Sequence, residues 1–286
     1  MIAEQNKSHS RPLLSANILE EIASEYSLDL EGTQIHVVLN PETALSNSCR
    51  NELRQLFISA TCVMFNCDTS FYWQSRKNYF AEVNYLAIIT QGSVFMGWVG
   101  ASEWWESKRQ IVYLDTVNIM KYAQRSPVGG MAVTYLLFII TLFKSAVYYV
   151  SFRTQSPLVY RLAEHLVPTK TVYPSLDANA NILPKSIAAV AEFVVRKISS
   201  EKVFDRDKLI IRGAYSNGLY GERIPHSHSD RINRYFVKNL DLERGDAILG
   251  IIEMSYFTLS TLKLFGLKDT LIRKLRRTEN RTNITR

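Results

Sequence analysis

The hydrophobic pattern of the chain changes period several times, and each change marks an element. Ile111–Met120 (IVYLDTVNIM) is apolar and rich in β-branched residues, which predicts a buried strand. The next stretch, KYAQRSPVGG (121–130), is polar and ends in Pro127, Gly129 and Gly130, so it breaks the strand. MAVTYLLFIITLF (131–143) is too long for one strand and has no internal Gly or Pro; it predicts a buried helix. AVYYVSF (146–152) predicts a second strand. QSPLVYRLAEHL (155–166) predicts a helix, with Ser156 as N-cap and Pro157 in the favoured first position.

The flanks follow the same logic. ANILEEIASEYSL predicts a short helix whose single stripe of Ile18, Ile22 and Tyr26 packs on the main body; the alternative is a homodimer contact. Ile35–Asn40 predicts a strand, and Glu42 to about Met64 an amphipathic helix burying Leu53, Leu56, Phe57 and Ala60. Thr69–Tyr79 is aromatic and basic. Its rings are read as covering the core edge, in preference to stacking on bases. Ala81–Thr90 and Ser93–Ala101 predict a hairpin turning at Gln91-Gly92, and Glu103–Gln110 a connection to the central strand. Beyond Leu166, Val167–Pro184 is an irregular connection in which TVYP is the remnant of a last strand. Lys185–Ile198 predicts an amphipathic helix, Lys208–Tyr215 a strand, Ser216–Phe236 a polar loop, and Asp246–Leu267 an apolar terminal helix before a basic tail. The expected class is α/β: a mixed, mostly antiparallel central sheet flanked by helices, with a C-terminal α+β extension. The expected divisions are 1–34 (helical extension), 35–184 (main domain) and 185–286 (C-terminal extension).

Composition narrows the function class. With 286 residues, 47% hydrophobic and 21% charged, the chain is globular, not disordered. The formal net charge of +7 is concentrated in Lys268–Arg286. It suits an anionic ligand or, through residues 263–277, an anionic membrane surface; nucleic acid is disfavoured, being supported only by charge and scattered aromatics. Cys49, Cys62 and Cys67 form neither a disulfide framework nor a zinc spacing. The N-terminal residues carry no secretory pattern, so a cytoplasmic location is expected. The apolar run before Lys144 fits a core helix better than a membrane span. His226 and His228 form an H-x-H pair that Asp230 or Glu222 could extend, but no third ligand stands at a diagnostic spacing, so no metal is expected.

A glycine-bearing loop that opens a helix directly after a strand gathers backbone N–H groups and a positive helix end at one point, which suits pyrophosphate. Gln124-Arg-Ser-Pro127-Val-Gly129 in that position resembles the coenzyme A loop of the GCN5-related N-acetyltransferase (GNAT) superfamily, with Pro127 where the first Gly is usual. YYVSFRTQSPLVYRLAEHL is similar to that family's next strand and helix, and the order of elements from about Ile35 to Leu166 matches it.

The resemblance implies an acyltransferase that moves an acetyl or longer acyl group from acetyl-CoA, another acyl-CoA or an acyl-carrier protein to a small-molecule or peptide amine. It implies donor binding by Ile119, Gln124, Arg125, Val128, Gly129 and Gly130, and Tyr160 as the acid that returns a proton to sulfur; a packing tyrosine is the equal alternative. Glu103, Glu106, Asp115 and His226 are candidate bases, and Trp104, Trp105 and His226 candidate walls of the acceptor site. The competing reading is a binding or scaffolding protein of the same fold, whose C-terminal part contacts a partner or a membrane surface.

Overall fold

The computed structural model describes residues 11–24, 26–30, 32–124, 126–143, 149–166, 172–176, 183–215, 218–220 and 225–254. Its first part runs through α1 (Ala16–Ile22), β1 (Leu28–Leu30), β2 (Thr33–Leu39), α2 (Pro41–Ala44), α3 (Asn47–Phe65), α4 (Ser70–Gln74) and α5 (Tyr79–Glu82). The centre holds β3 (Tyr85–Gln91), β4 (Val94–Glu106), β5 (Arg109–Ile119), α6 (Val128–Phe143), β6 (Tyr149–Thr154) and α7 (Pro157–Leu166). The last part adds β7 (Val172–Tyr173), α8 (Lys185–Ile198), β8 (Phe204–Asp205), β9 (Ile210–Ile211), α9 (Asp230–Asn239) and β10 (Ala247–Glu253).

The strands of the described residues belong to one sheet of ten, in the order β1-β2-β3-β4-β5-β6-β10-β9-β8, with β7 also on β10. Every pairing is antiparallel except β5 with β6. The class is therefore the expected mixed, mostly antiparallel α/β layer. The residues expected as a C-terminal extension from 185 supply β8–β10 to this same sheet.

Helices cover both faces. On one face α6, α7 and α9 bury Leu136, Tyr160 and Phe236 against Val112, Leu114, Val150 and Phe152. On the other, α1 and α3–α5 cover Leu86, Ile88 and Trp98, while α8 covers Ile111, Tyr149 and Leu249. The central strands bury both faces, which is why they read as near-continuous apolar runs.

Several boundaries differ from the sequence reading, each for a local reason. The expected helix from Glu42 is broken at Leu45, which is extended (φ −105°, ψ 142°). Ser46 then caps α3 by accepting from the Cys49 N–H at 3.1 Å, while its own N–H and hydroxyl donate to the Glu21 carboxylate at 2.8 and 2.7 Å. Thr69–Tyr79, read as a loop, contains α4 and the start of α5. Its Trp73 is buried and donates to Thr61 Oγ1 at 2.9 Å. EWWE, read as a connection, is the end of β4. It reaches β5 through a two-residue turn in which Ser107 and Lys108 take positive φ (46° and 71°) without the Gly or Asn that normally signals it. Ala247–Glu253, read as helix, is the strand β10; the residues after Met254, including 263–277 and the basic tail, lie outside the described set. No helix among the described residues is long and apolar enough to cross a membrane.

Candidate functional site

The site arises where two neighbouring strands stop pairing. β5 and β6 run parallel through Ile111↔Tyr149 to Leu114↔Phe152, and there the pairing ends. β5 continues to Ile119 with β4 alone on its other side. The β4–β5 register shifts at this point: Gly100 pairs with Thr116 and Ala101 with Leu114, so Asp115 is an extra, bulged residue. Beyond it the Met120 N–H donates to Met96 O on the β4 side at 2.9 Å. Peptide groups alternate in direction along a strand, so those of Val117 and Ile119 face the gap instead.

Two neighbouring spaces, both lined by Val117, Asn118 and Tyr220, lie at the gap. The outer one is a cleft of about 1290 Å³ lined by Val117–Ile119, Lys121, Gln124, the Ser126–Gly130 loop, Ser156, Leu162 and Tyr220. Two helix N-termini open into it, α6 at Val128–Gly130 and α7 at Ser156–Leu158. The first turn of a helix carries N–H groups without intrahelical partners and a partial positive charge, so the pair forms an anion-binding corner. Pro127 stands at the cap: its carbonyl accepts the Met131 N–H at 3.0 Å, and the proline removes none of the first-turn donors at Val128–Gly130. A β-carbon on Gly129 would lie 3.0 Å from Ile119 Cγ1, and one on Gly130 would lie 3.3 Å from Leu162 Cδ1. The glycines thus also let α6 pack closely on β5 and α7. Gln124 donates from Nε2 to the Ile119 carbonyl at 2.9 Å and ties the loop to the strand.

The inner space is small, about 70 Å³, and mixed in character, with polar groups set beside Leu114, Val117, Phe152 and Val159. It is lined by Tyr72, Asp115, Thr116, Asn118, Arg153, Gln155, Tyr215 and Tyr220 among others. Asp115 accepts from Arg76 Nη1 at 2.6 Å, and Arg76 also donates to Tyr72 and Glu82. Burial opposes the Arg76 charge, but Asp115 and Tyr72 outweigh it and the guanidinium is held well above its ordinary pKa. Burial pushes the Tyr72 phenol up to about 12. Burial likewise raises the Tyr220 phenol, opposed by its hydrogen bond with Ser156, so at neutral pH this hydroxyl carries its proton. Gln155, buried, donates to Asp246 O at 2.8 Å and accepts from the Leu219 N–H at 3.1 Å, which fixes the segment bearing Tyr220 over the gap.

The structure gathers Ile119, Gln124, Gly129 and Gly130 at the outer cleft and Asp115 at the inner one. Val128 buries its side chain in the core, leaving only its backbone at the loop. Arg125 lies outside the described residues. Tyr160 does not line either space. It is 1% exposed, edge-on to Phe236, with its hydroxyl 3.2 and 2.6 Å from the Val172 and Pro174 carbonyls. Glu103, Trp104 and Trp105 stand at the other end of β5, opposite Val112, Ile111 and Gln110. There Glu103 accepts from Tyr85 and Trp105, and Trp104 stacks on Tyr113. Glu106 is at the same end, 3.4 Å from Arg196. His226 and His228 are exposed, and among the described residues no cluster of three or more His, Cys, Asp or Glu could hold a metal. Lys121, Arg153, Tyr215 and Tyr220 were not anticipated. They sit at strand ends and in a polar loop with no local pattern, and only the tertiary fold brings them together.

No protein-family model and no curated protein matches the chain. Among solved structures, the chain is similar to acetyltransferases of the GNAT family. A GNAT family acetyltransferase from Elizabethkingia anophelis with acetyl-CoA bound aligns at TM-score 0.37 and 9% identity, over 79% of this chain and 100% of that one. Arabidopsis thaliana Naa50 in complex with the bisubstrate analogue CoA-Ac-MVNAL aligns at 0.34 and 9%, over 48% and 83%. A probable GNAT family acetyltransferase from Chromobacterium violaceum aligns at 0.33 and 15%, over 56% and 85%. At this level of likeness they say nothing about the site, whose chemistry rests on its own residues.

Proposed function

We propose that the chain is an acyltransferase that passes an acyl group from a thioester to an amine across the gap between β5 and β6. The observation that carries this reading is the parting of the two strands beyond Leu114 and Phe152, with an anion-binding corner on one side and a small pocket of mixed character on the other.

The donor's phosphates sit at the first turns of α6 and α7, near Val128–Gly130 and Leu158, with Lys121 supplying a full positive charge. The thioester lies along Val117–Ile119, whose inward N–H groups can meet its carbonyl oxygen as negative charge develops. The amine enters from the inner pocket, where Asp115 attracts the ammonium form; one proton is released to solvent water before attack, and the proton the nitrogen sheds after C–N bond formation restores the hydroxyl that protonates the thiolate. Holding both reactants in one gap turns a bimolecular step into a local one. When the C–N bond forms and the C–S bond breaks, the thiolate needs a proton. Tyr220, which lines both spaces, supplies it in place of Tyr160. A CoA donor and an acyl-carrier protein present the same thioester arm and differ in the phosphates that reach the corner.

Titration calorimetry with acetyl-CoA, a long-chain acyl-CoA and an acyl-loaded carrier protein tests this. The expected result is binding of at least one thioester, weakened about tenfold by Lys121→Ala or Gly129→Val. Carrier-only binding assigns the donor. No binding by any of the three overturns the reading in favour of a non-catalytic scaffold.

A further inference from the structure

Arg153 stands on β6 immediately after Phe152, the last residue that pairs with β5, and it lines the inner pocket. Its Nη1 donates to Ser199 Oγ at 2.9 Å and to Ala214 O at 3.3 Å, and the guanidinium lies 4.5 Å over the Tyr215 ring. Its Nε is buried and donates to nothing, and Nη2 has no partner among the described residues. These two nitrogens form one edge of the guanidinium fork, the edge that grips a carboxylate through two parallel bonds.

No carboxylate of the described residues lies within ion-pair distance of Arg153. Other guanidiniums of this protein are treated differently. Arg76 has Asp115 at 2.6 Å and Glu82 at 2.8 Å, and Arg212 has Asp246 at 2.8 Å and Asp205 at 3.2 Å. A guanidinium with no direct ion pair, which Asp115 meets only through space, and with its buried Nε unused is costly to keep, which makes sense where a ligand supplies the anion. The space beside it is of the right order: about 70 Å³ holds a carboxylate-sized group or a few waters.

We propose that the inner pocket binds a carboxylate on the Nε–Nη2 edge of Arg153, and that this carboxylate belongs to an α-amino acid serving as the acyl acceptor. Asp115 is the residue that follows the last β5 pair, as Arg153 follows the last β6 pair, so the two face the same pocket from adjacent strands. A negative and a positive group side by side complement an ammonium and a carboxylate on one carbon. Tyr215, Tyr72 and Thr116 supply neutral polar walls. The carboxylate site stands on Arg153 itself; its assignment to the acceptor rests on the acyl-transfer reading. The same carboxylate chemistry could come from a dicarboxylic acyl donor, which the test separates.

The test is titration of the full chain, with no thioester present, against a panel of α-amino acids, the same amino acids as primary amides, and succinate and glutarate. At least one amino acid is expected to bind, at least about tenfold more tightly than its amide. Arg153→Gln is expected to reduce the amino acid to the level of the amide, with Arg153→Lys retaining part of the difference. The amino acid–amide comparison uses the unaltered protein, so it holds even if an Arg153 variant fails to fold. Equal binding of amino acid and amide, or binding of nothing in the panel, overturns the proposal. Binding of dicarboxylates alone overturns the acceptor assignment and moves the carboxylate to the donor. Amino-acid binding without any acyl-thioester binding leaves this site standing and removes the acyl-transfer reading.

Discussion

The two halves of β5 are one strand under two regimes. From Ile111 to Leu114 it lies between β4 and β6, and every residue is buried. From Asp115 to Ile119 it keeps only β4, and burial falls to a mixture. Sequence composition separates them only in part: IVYL is wholly apolar, while DTVNI keeps the β-branched Thr116, Val117 and Ile119 beside the polar Asp115 and Asn118. What separates them is the bulge at Asp115 and the departure of β6. A strand that loses one neighbour acquires an edge of unpaired peptide groups, ordinarily a liability. Here that edge faces a cleft and a pocket bordered by Tyr215, Leu219 and Tyr220, and a ligand can use it. Structure is spent on the first half and chemistry on the second, and the proposals stand or fall on that division.

The largest expected effect concerns what holds that border. Asp246 is wholly buried; Arg212 reaches it at 2.8 Å and Arg244 at 2.6 Å, and the Gly213 and Asp241 N–H groups donate to it. Burial alone would raise its pKa, but these bonds outweigh burial and hold the carboxyl well below the usual range. A depressed carboxylate pKa contributes stability that is fully present above the unfolded value of about 4 and is lost as pH falls toward the folded one. Asp246→Asn is therefore expected to cost about 3 kcal/mol at pH 7, the low end for a buried pair because Arg244 is half exposed. The difference from the unaltered protein should shrink as pH drops below about 4. Urea unfolding at pH 7, 4.5 and 3 reads both. A cost that does not change with pH would remove the charge argument.

The division of β5 can be probed by making one substitution in each half. Val112 is fully buried in the closed half, and Val117 lines the cleft in the open half. Val112→Ala should cost about 2 kcal/mol from lost burial and the cavity left behind. Val117→Ala should cost about 0.5 kcal/mol, since less of its side chain is removed from water, yet weaken thioester binding several-fold. Chemical unfolding and calorimetry on the two variants suffice. If both lose stability equally and neither changes binding, the two halves are not functionally distinct.

The same contrast explains what could be read from sequence. The closed half, the α6 and α7 patterns and the glycine loop were legible because period, caps and breakers are local signals. The inner pocket was not. Arg153 bonds Ser199 and Ala214, and Gln155 bonds Asp246 and Leu219, all far along the chain. Tyr160 was singled out by the resemblance of its strand and helix to a family motif, but a local motif does not say which buried tyrosine meets a cavity and which meets backbone carbonyls. The Ala247–Glu253 run was read as helix because a strand buried on both faces loses its alternation, and periodicity then cannot distinguish the two.

The smallest expected effect sharpens the comparison from the structural side. Gln110 immediately precedes the closed half and is fully buried, and among the described residues neither its Oε1 nor its Nε2 has a hydrogen-bond partner. It lines neither the cleft nor the inner pocket. An unpartnered buried amide costs about 1–3 kcal/mol relative to an apolar group of the same shape. Methionine is close in length and flexible enough to fill the same volume. Gln110→Met should therefore raise stability by about 1 kcal/mol, or the melting temperature by about 2–4 °C for a chain of this size class, with ligand binding unchanged. Arg153 has the same kind of defect, a buried nitrogen without a partner, but it faces a cavity. Arg153→Met should abolish the preference for amino acids over their amides whatever it does to the melting temperature. If Gln110→Met instead lowers stability or impairs binding, an unpartnered buried nitrogen is no guide to a ligand site in this protein, and the argument built on Arg153 loses its contrast.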